Sequence, residues 1–128
     1  IKLLQRAGIT PAVVTGRDAP ALRARLAALG ITHARFGTED KLPAAREILE
    51  GLGLGWHQAA AIGDDWPDLP VLQHCAFACA PPGAHGEVLA AVHHVTRMAG
   101  GQGAAREFCD LLLTASGRYA ALLAEYRR

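Results

Sequence analysis

The chain has 128 residues and a mass of 13.5 kDa, the length of one domain that buries roughly two-thirds of its unfolded surface without metal or disulfide staples. A composition of 51% hydrophobic and 20% charged residues, with a formal net charge of +1, excludes a disordered or fibrous chain. It also leaves no electrostatic footprint for nucleic acid or a membrane surface.

Ile1 to Ala7 reads as the last turns of a helix closed by Gly8. Ala12-Val13-Val14 is a short apolar run, a buried strand ending at Thr15-Gly16. Asp18 is read as the N-cap of a helix through Leu29, with Leu22, Leu26 and Leu29 at helical spacing. A weaker strand follows from Ile31 to Phe36. Thr38 or Asp40 caps a helix over Lys41 to Leu52, whose Leu42, Ala45, Ile48, Leu49 and Leu52 share one face. Ala59 to Ile62 is the next strand, ending at Gly63-Asp64-Asp65, and Pro67 opens a short helix to about Gln73. Cys75 to Ala80 reads as a strand with Cys75 and Cys79 on one face, as core side chains rather than zinc ligands. A helix over Ala84 to Ala91, a short strand over His93 to Thr96 and a Gly100–Gly103 loop lead to one or two terminal helices. The chain closes on a solvated Arg127-Arg128 pair.

Helix alternating with strand over short connections predicts an α/β domain with a Rossmann-like parallel sheet flanked by helices. The three cysteines, Cys75, Cys79 and Cys109, are odd in number and too few for a disulfide framework, which fits a reducing cytoplasm. No signal peptide and no apolar run of membrane-spanning length is read.

In an open parallel sheet, ligands bind outside the carboxyl ends of the strands. Thr15-Gly16-Arg17 follows the first strand, and Gly63-Asp64-Asp65 with Asp68 follows the strand at 59–62. Lys41 opens the helix between them. A hydroxyl, a guanidinium, an ammonium and carboxylates on one rim suit phosphate chemistry. Thr15 and the turn's N–H groups hydrogen-bond a phosphoryl oxygen, Lys41 neutralises charge building in the transition state, and paired carboxylates suit Mg²⁺. Each element also has a plain reading. Thr-Gly-Arg is a common strand-to-helix turn, Lys41 a solvated helix start, and Asp64-Asp65 a capped turn. Order and spacing together favour the site. Trp66 beside the carboxylates either shields a metal or packs between subunits, Trp56 is read as buried, and His93-His94 as surface.

V-V-T-G-R (13–17), Lys41 and I-G-D-D-W-P-D-L-P-V (62–71) resemble the second, third and fourth motifs of the haloacid dehalogenase superfamily of phosphatases. G-T-E-D-K-L (37–42), G-D-D-W-P-D-L-P (63–70) and V-T-R-M-A-G-G-Q-G-A-A-R-E (95–107) resemble more closely its small, capless 3-deoxy-D-manno-octulosonate 8-phosphate phosphatases, which serve lipopolysaccharide precursor synthesis. The resemblance covers essentially the whole chain. It implies that Thr15, with Gly16 and Arg17, binds the phosphoryl group, that Lys41 bridges it to the nucleophile, and that Asp64 ligates Mg²⁺. It further implies that Asp65 supports the metal from behind, that Asp68 orients Lys41 or metal waters, and that Arg17 and Arg106 meet substrate anions. A homotetramer with shared active sites is implied too, a neighbour serving as the cap and the tail hinging at Gly100–Gly103.

The superfamily's nucleophile lies in an Asp-x-Asp at the end of a first strand, and no acidic residue precedes Asp18 here. The expectation is a single haloacid dehalogenase-like α/β domain recorded without that strand, its hairpin and most of a helix, about 40 residues for ordinary connections. On that expectation residues 1–128 alone do not turn over sugar phosphates, and the core is left open where a central strand is missing. The alternative is a non-catalytic tetramerisation domain similar to the C-terminal domain of acylneuraminate cytidylyltransferases. A full-length sequence discriminates between them. A phospho-receiver domain has its acidic residues first and its lysine last, against the order here. The Gly100–Gly103 loop lacks the full dinucleotide fingerprint.

Overall fold

The computed structural model describes residues 1–127; Arg128, the second member of the terminal arginine pair, lies outside the described residues. Five short strands alternate with helices. β1 (Ala12–Val14) pairs in parallel with β2 (His33–Arg35), register Val13 to Ala34. β3 (Ala60–Ile62), β4 (Phe77–Ala80) and β5 (His94–Val95) form a second parallel sheet in that order. The helices are α1 (Lys2–Arg6), α2 (Pro20–Ala28), α3 (Lys41–Leu52), α4 (Leu69–His74), α5 (Gly86–Ala91), α6 (Ala104–Ala115) and α7 (Tyr119–Tyr126). Among the described residues no helix is long and apolar enough to cross a membrane.

The parallel α/β architecture is as expected, but the sheet is divided. β1 is paired on one edge, to β2, and β3 on one edge, to β4; no ladder joins β1 to β3 among the described residues. Burial follows the pairing. Ala78, Cys79 and Ala80 of β4, flanked on both sides, are fully buried, whereas Val13, Val14, Ala60, Ala61 and Ile62 are only half-buried. Apolar β residues of a parallel sheet are normally covered on both faces.

Two clusters hold the chain together. Leu72, Cys75, Ala78, Ala80, Ala84 and Val88 pack α4 and α5 onto β4, with half-buried Trp56 against them. Leu4, Cys109, Leu113 and Leu122 tie α1, α6 and α7 together. In α6 the buried set Ala104, Phe108, Cys109 and Leu113 keeps helical spacing on one face.

Several sequence expectations shift. Asp18 does not cap α2: its two carboxylate oxygens take Arg23 at 2.7 and 2.9 Å, the cap is Ala19, and Pro20 opens the helix at its first position. A proline there gives up no hydrogen bond and has its φ already set. Neither Thr38 nor Asp40 caps α3 with its side chain, although the helix spans Lys41–Leu52 as read; Thr38 Oγ1 instead donates to the Asp40 carbonyl. Cys75 is not in a strand. It follows α4 in extended backbone and β4 starts at Phe77, yet both Cys75 and Cys79 are buried. Exposed His93 accepts from the Ala78 N–H through Nδ1 at 2.9 Å.

Candidate active site

The carboxyl ends of β1 and β3 carry the two halves of the site. Beyond β3 the chain enters Gly63-Asp64-Asp65 and a 3₁₀ turn, Trp66–Asp68. Asp68 organises this loop. Its Oδ2 accepts from the Asp64 N–H at 3.0 Å and the Asp65 N–H at 3.2 Å, and its Oδ1 accepts from Lys41 Nζ at 2.7 Å. The two side chains are 15% and 17% exposed, sheltered enough that the pair is not an ordinary surface ion pair, whose contribution is small. Gly63 permits the arrangement: a Cβ there would lie 2.5 Å from Asp68 Cβ. Asp65 Oδ1 accepts from the Trp66 N–H at 2.8 Å, closing the turn.

Asp64 is the contrast. Its carbonyl accepts from the His85 N–H at 2.9 Å, which fixes the backbone, while its exposed carboxylate makes no hydrogen bond among the described residues. No cluster of three or more His, Cys, Asp or Glu placed for a metal occurs among the described residues. Magnesium does not require one, since it binds through one or two carboxylates and keeps several waters. The exposed Asp64 carboxylate, next to exposed Asp65 and with Asp68 committed to Lys41, is an oxygen donor set that fits such an ion.

On the β1 side, Thr15 is half-buried and its backbone is fixed by Thr15 N–H to the Arg35 carbonyl and Thr38 N–H to the Thr15 carbonyl, both 3.0 Å. Its Oγ1 accepts from the Arg17 N–H at 3.1 Å. Gly16 is exposed, with the Glu39 carboxylate end crowding the space a Cβ would fill. The Arg17 guanidinium is exposed without a partner among the described residues, and its carbonyl accepts from the Gly37 N–H.

Lys41 and Asp68 are thus brought together, Asp64 and Asp65 stand beside them, and Thr15-Gly16-Arg17 ends the other sheet. Arg106 is not joined to this set: it is exposed and pairs with Asp110 on its own helix at 3.5 Å. The sequence reading missed Glu107, half-buried at the start of α6. It accepts from the Arg97 N–H at 2.9 Å, the Met98 N–H at 3.1 Å and His94 Nε2 at 3.4 Å, and so holds the loop after β5. Those amides, the Met98 N–H foremost, hold its carboxyl below the usual glutamate range. It also missed His85, for which no spacing signal exists. Burial pushes the Cys79 thiol up to about 11 and raises Cys75 and Cys109 as well.

Known proteins resemble this chain over most of its length. The 3-deoxy-D-manno-octulosonate 8-phosphate phosphatase KdsC of Escherichia coli K12 is 43% identical over 110 residues, 86% of this chain and 58% of that protein. The cobalt-bound deoxy-D-mannose-octulosonate 8-phosphate phosphatase of Haemophilus influenzae superimposes with a TM-score of 0.89 at 41% identity, over 93% of this chain and 70% of that one. The Moraxella catarrhalis 3-deoxy-D-manno-octulosonate 8-phosphate phosphatase, solved with a magnesium ion, a phosphate ion and KDO, gives 0.94 at 34% identity, over 98% and 72%. No protein-family model matches the sequence. The chain spans less than two-thirds of the length of the curated relatives it matches.

Proposed function

Because this chain belongs to the 3-deoxy-D-manno-octulosonate 8-phosphate phosphatases of the haloacid dehalogenase superfamily, we propose that the whole protein hydrolyses that sugar-acid phosphate to 3-deoxy-D-manno-octulosonate and phosphate. The observation that carries the reading is the Lys41–Asp68 bond at 2.7 Å beside the exposed Asp64 carboxylate, which is unbonded among the described residues. A purely structural tetramerisation domain gains nothing from a sheltered lysine next to an exposed carboxylate, so the same observation disfavours the non-catalytic alternative.

In this reading Thr15 Oγ1 and the N–H groups of Gly16 and Arg17 take phosphoryl oxygens. Lys41, aimed by Asp68, holds the phosphoryl group against the attacking carboxylate and offsets charge in the transition state. Asp64 would hold Mg²⁺, with Asp65 setting the geometry of the loop behind it. The ion, when bound, neutralises phosphate charge and orients the group for in-line attack. Arg17 meets the substrate's anionic groups, whereas Arg106, paired with Asp110 on its own helix, stands outside this set.

The attacking aspartate and the acid that protonates the leaving oxygen are assigned to an Asp-x-Asp outside residues 1–128. Among the described residues β1 and β3 each leave one edge unpaired, which supports a strand between them and with it one complete domain. Residues 1–128 alone would then bind phosphate without turning over the ester. A homotetramer in which a neighbour covers the open rim completes the proposal, since such a site must exclude water.

The test is phosphate release by the full-length protein from a panel of sugar phosphates, with Mg²⁺ and after chelation. Metal-dependent preference for the 3-deoxy-octulosonate ester is the expected result. Equal turnover of hexose phosphates would remove the substrate assignment.

A further inference from the structure

Trp66 is 60% exposed, yet its ring is held in place. The indole Nε1–H donates to His85 Nδ1 at 2.9 Å, and the two rings meet edge to face with centroids 5.0 Å apart at 71°. His85 is itself anchored: its backbone N–H donates to the Asp64 carbonyl at 2.9 Å. Its Nδ1 also accepts from the Glu87 N–H at 3.1 Å, at the start of α5. A chain of bonds therefore fixes an open indole relative to the backbone that carries Asp64.

An indole left in water forgoes the stabilisation its burial would bring. What covers it can be argued from its surroundings. Protein interfaces place aromatic anchors in an apolar core and exclude charge from that core. Trp66 instead has exposed Asp64 and Asp65 before it and exposed His85, Gly86 and Glu87 across from it. A small ligand with both apolar and polar surface suits such a ring. On the phosphatase reading, the organic group of a phosphate monoester seated by Thr15, Lys41 and Asp64 lies on the solvent side of that rim, where exposed Trp66 follows Asp65 directly in the chain.

We infer that Trp66 is the wall on which the sugar carbons of the substrate stack, and that His85 is its positioning residue. This rests on the phosphatase reading and adds to it a specificity-determining residue for the sugar. The C–H face of a pyranose carries partial positive charge and lies flat on the electron-rich indole. Its hydroxyls stay at the edge, in water or against the neighbouring carboxylates.

The experiment is steady-state kinetics of the full-length protein with 3-deoxy-D-manno-octulosonate 8-phosphate and with acetyl phosphate, which has no sugar. Light scattering is run on each variant. Trp66→Ala should lower the preference for the sugar ester, measured as the ratio of kcat/KM values, about tenfold, mainly through KM. Trp66→Phe should keep most of that preference. His85→Ala should lower it about threefold, and should add nothing in the Trp66→Ala background. An unchanged ratio in Trp66→Ala, or loss of the tetramer with equal damage to both substrates, overturns the inference and makes Trp66 a surface or subunit contact. A wild-type protein that hydrolyses neither ester overturns the phosphatase reading itself.

Discussion

Lys41 Nζ lies 2.7 Å from Asp68 Oδ1, and this bond joins the carboxyl rims of two sheets that share no strand ladder among the described residues. Asp68 also gathers the Asp64 and Asp65 amides. Asp68→Ala should therefore lower stability by about 2 kcal/mol, the scale of a charged hydrogen bond lost from a sheltered site, and loosen the loop that carries Asp64. Urea denaturation reads the first effect. A midpoint within error of wild type would mean that the pair is incidental.

Gly63 and Gly51 should respond to alanine in opposite directions. A methyl at Gly63 meets Asp68 Cβ, an atom close to the backbone that cannot swing away, so Gly63→Ala costs about 1–3 kcal/mol by overpacking. Gly51 lies inside α3 with open space around it, and Gly51→Ala should stabilise by about 0.5–1 kcal/mol. Thermal melts of the two variants give the sign directly.

Much of this loop was legible in the residues. The bounds of α3 came out as read because Leu42, Ile48, Leu49 and Leu52 keep period and Gly53 ends the helix in left-handed backbone, φ 70°. The partnership of Lys41 with Asp68 entered only through the family resemblance; spacing alone cannot bring together residues 27 apart. Asp18 misled because a cap signal and an ion-pair signal look alike in sequence, and Pro20 decided the helix start. Cys75 misled because an apolar run ending one helix and starting one strand has no internal period. Glu107 closes the 95–107 motif, but its hold on the amides of the loop after β5 is visible only in the fold, as is the bond from the Trp66 indole to His85, 19 residues away.

Glu107 should set part of the acid limb of stability. Its folded pKa is depressed by the Met98 and Arg97 amides and by His94. The stability it contributes is therefore present above the ordinary glutamate range and is lost as pH falls through the lower folded value. Glu107→Gln should flatten that part of the melting-temperature profile. A variant profile parallel to wild type at every pH would show that the loop after β5 does not depend on this charge.

The three thiols should be silent in the native protein. Cys75, Cys79 and Cys109 are buried and unpaired with one another, and desolvation raises all three pKa values. Ellman titration at pH 8 should find no fast-reacting thiol until denaturant is added, then all three. Rapid native reaction would put a cysteine at the surface.

Assembly is open to a direct check. Exposed Tyr119, Leu123 and Tyr126 line α7, and Arg6 binds both Glu125 and Tyr126. The full-length protein should be a tetramer by light scattering. Truncation from Tyr126 should alter KM more than the melting temperature. A fully active monomer at micromolar concentration would remove the shared-site proposal and leave the chemistry standing.

The central claim is that the Asp64 rim performs metal-assisted phosphate chemistry, and Asp64→Asn tests it most directly. The Asp64 side chain holds no hydrogen bond among the described residues, so the variant should fold and melt like wild type. An amide binds a hard cation more weakly than a carboxylate. Phosphate release from 3-deoxy-D-manno-octulosonate 8-phosphate by the full-length variant should therefore fall by about two orders of magnitude or more at ordinary Mg²⁺. Near wild-type turnover in a folded Asp64→Asn protein would contradict the account.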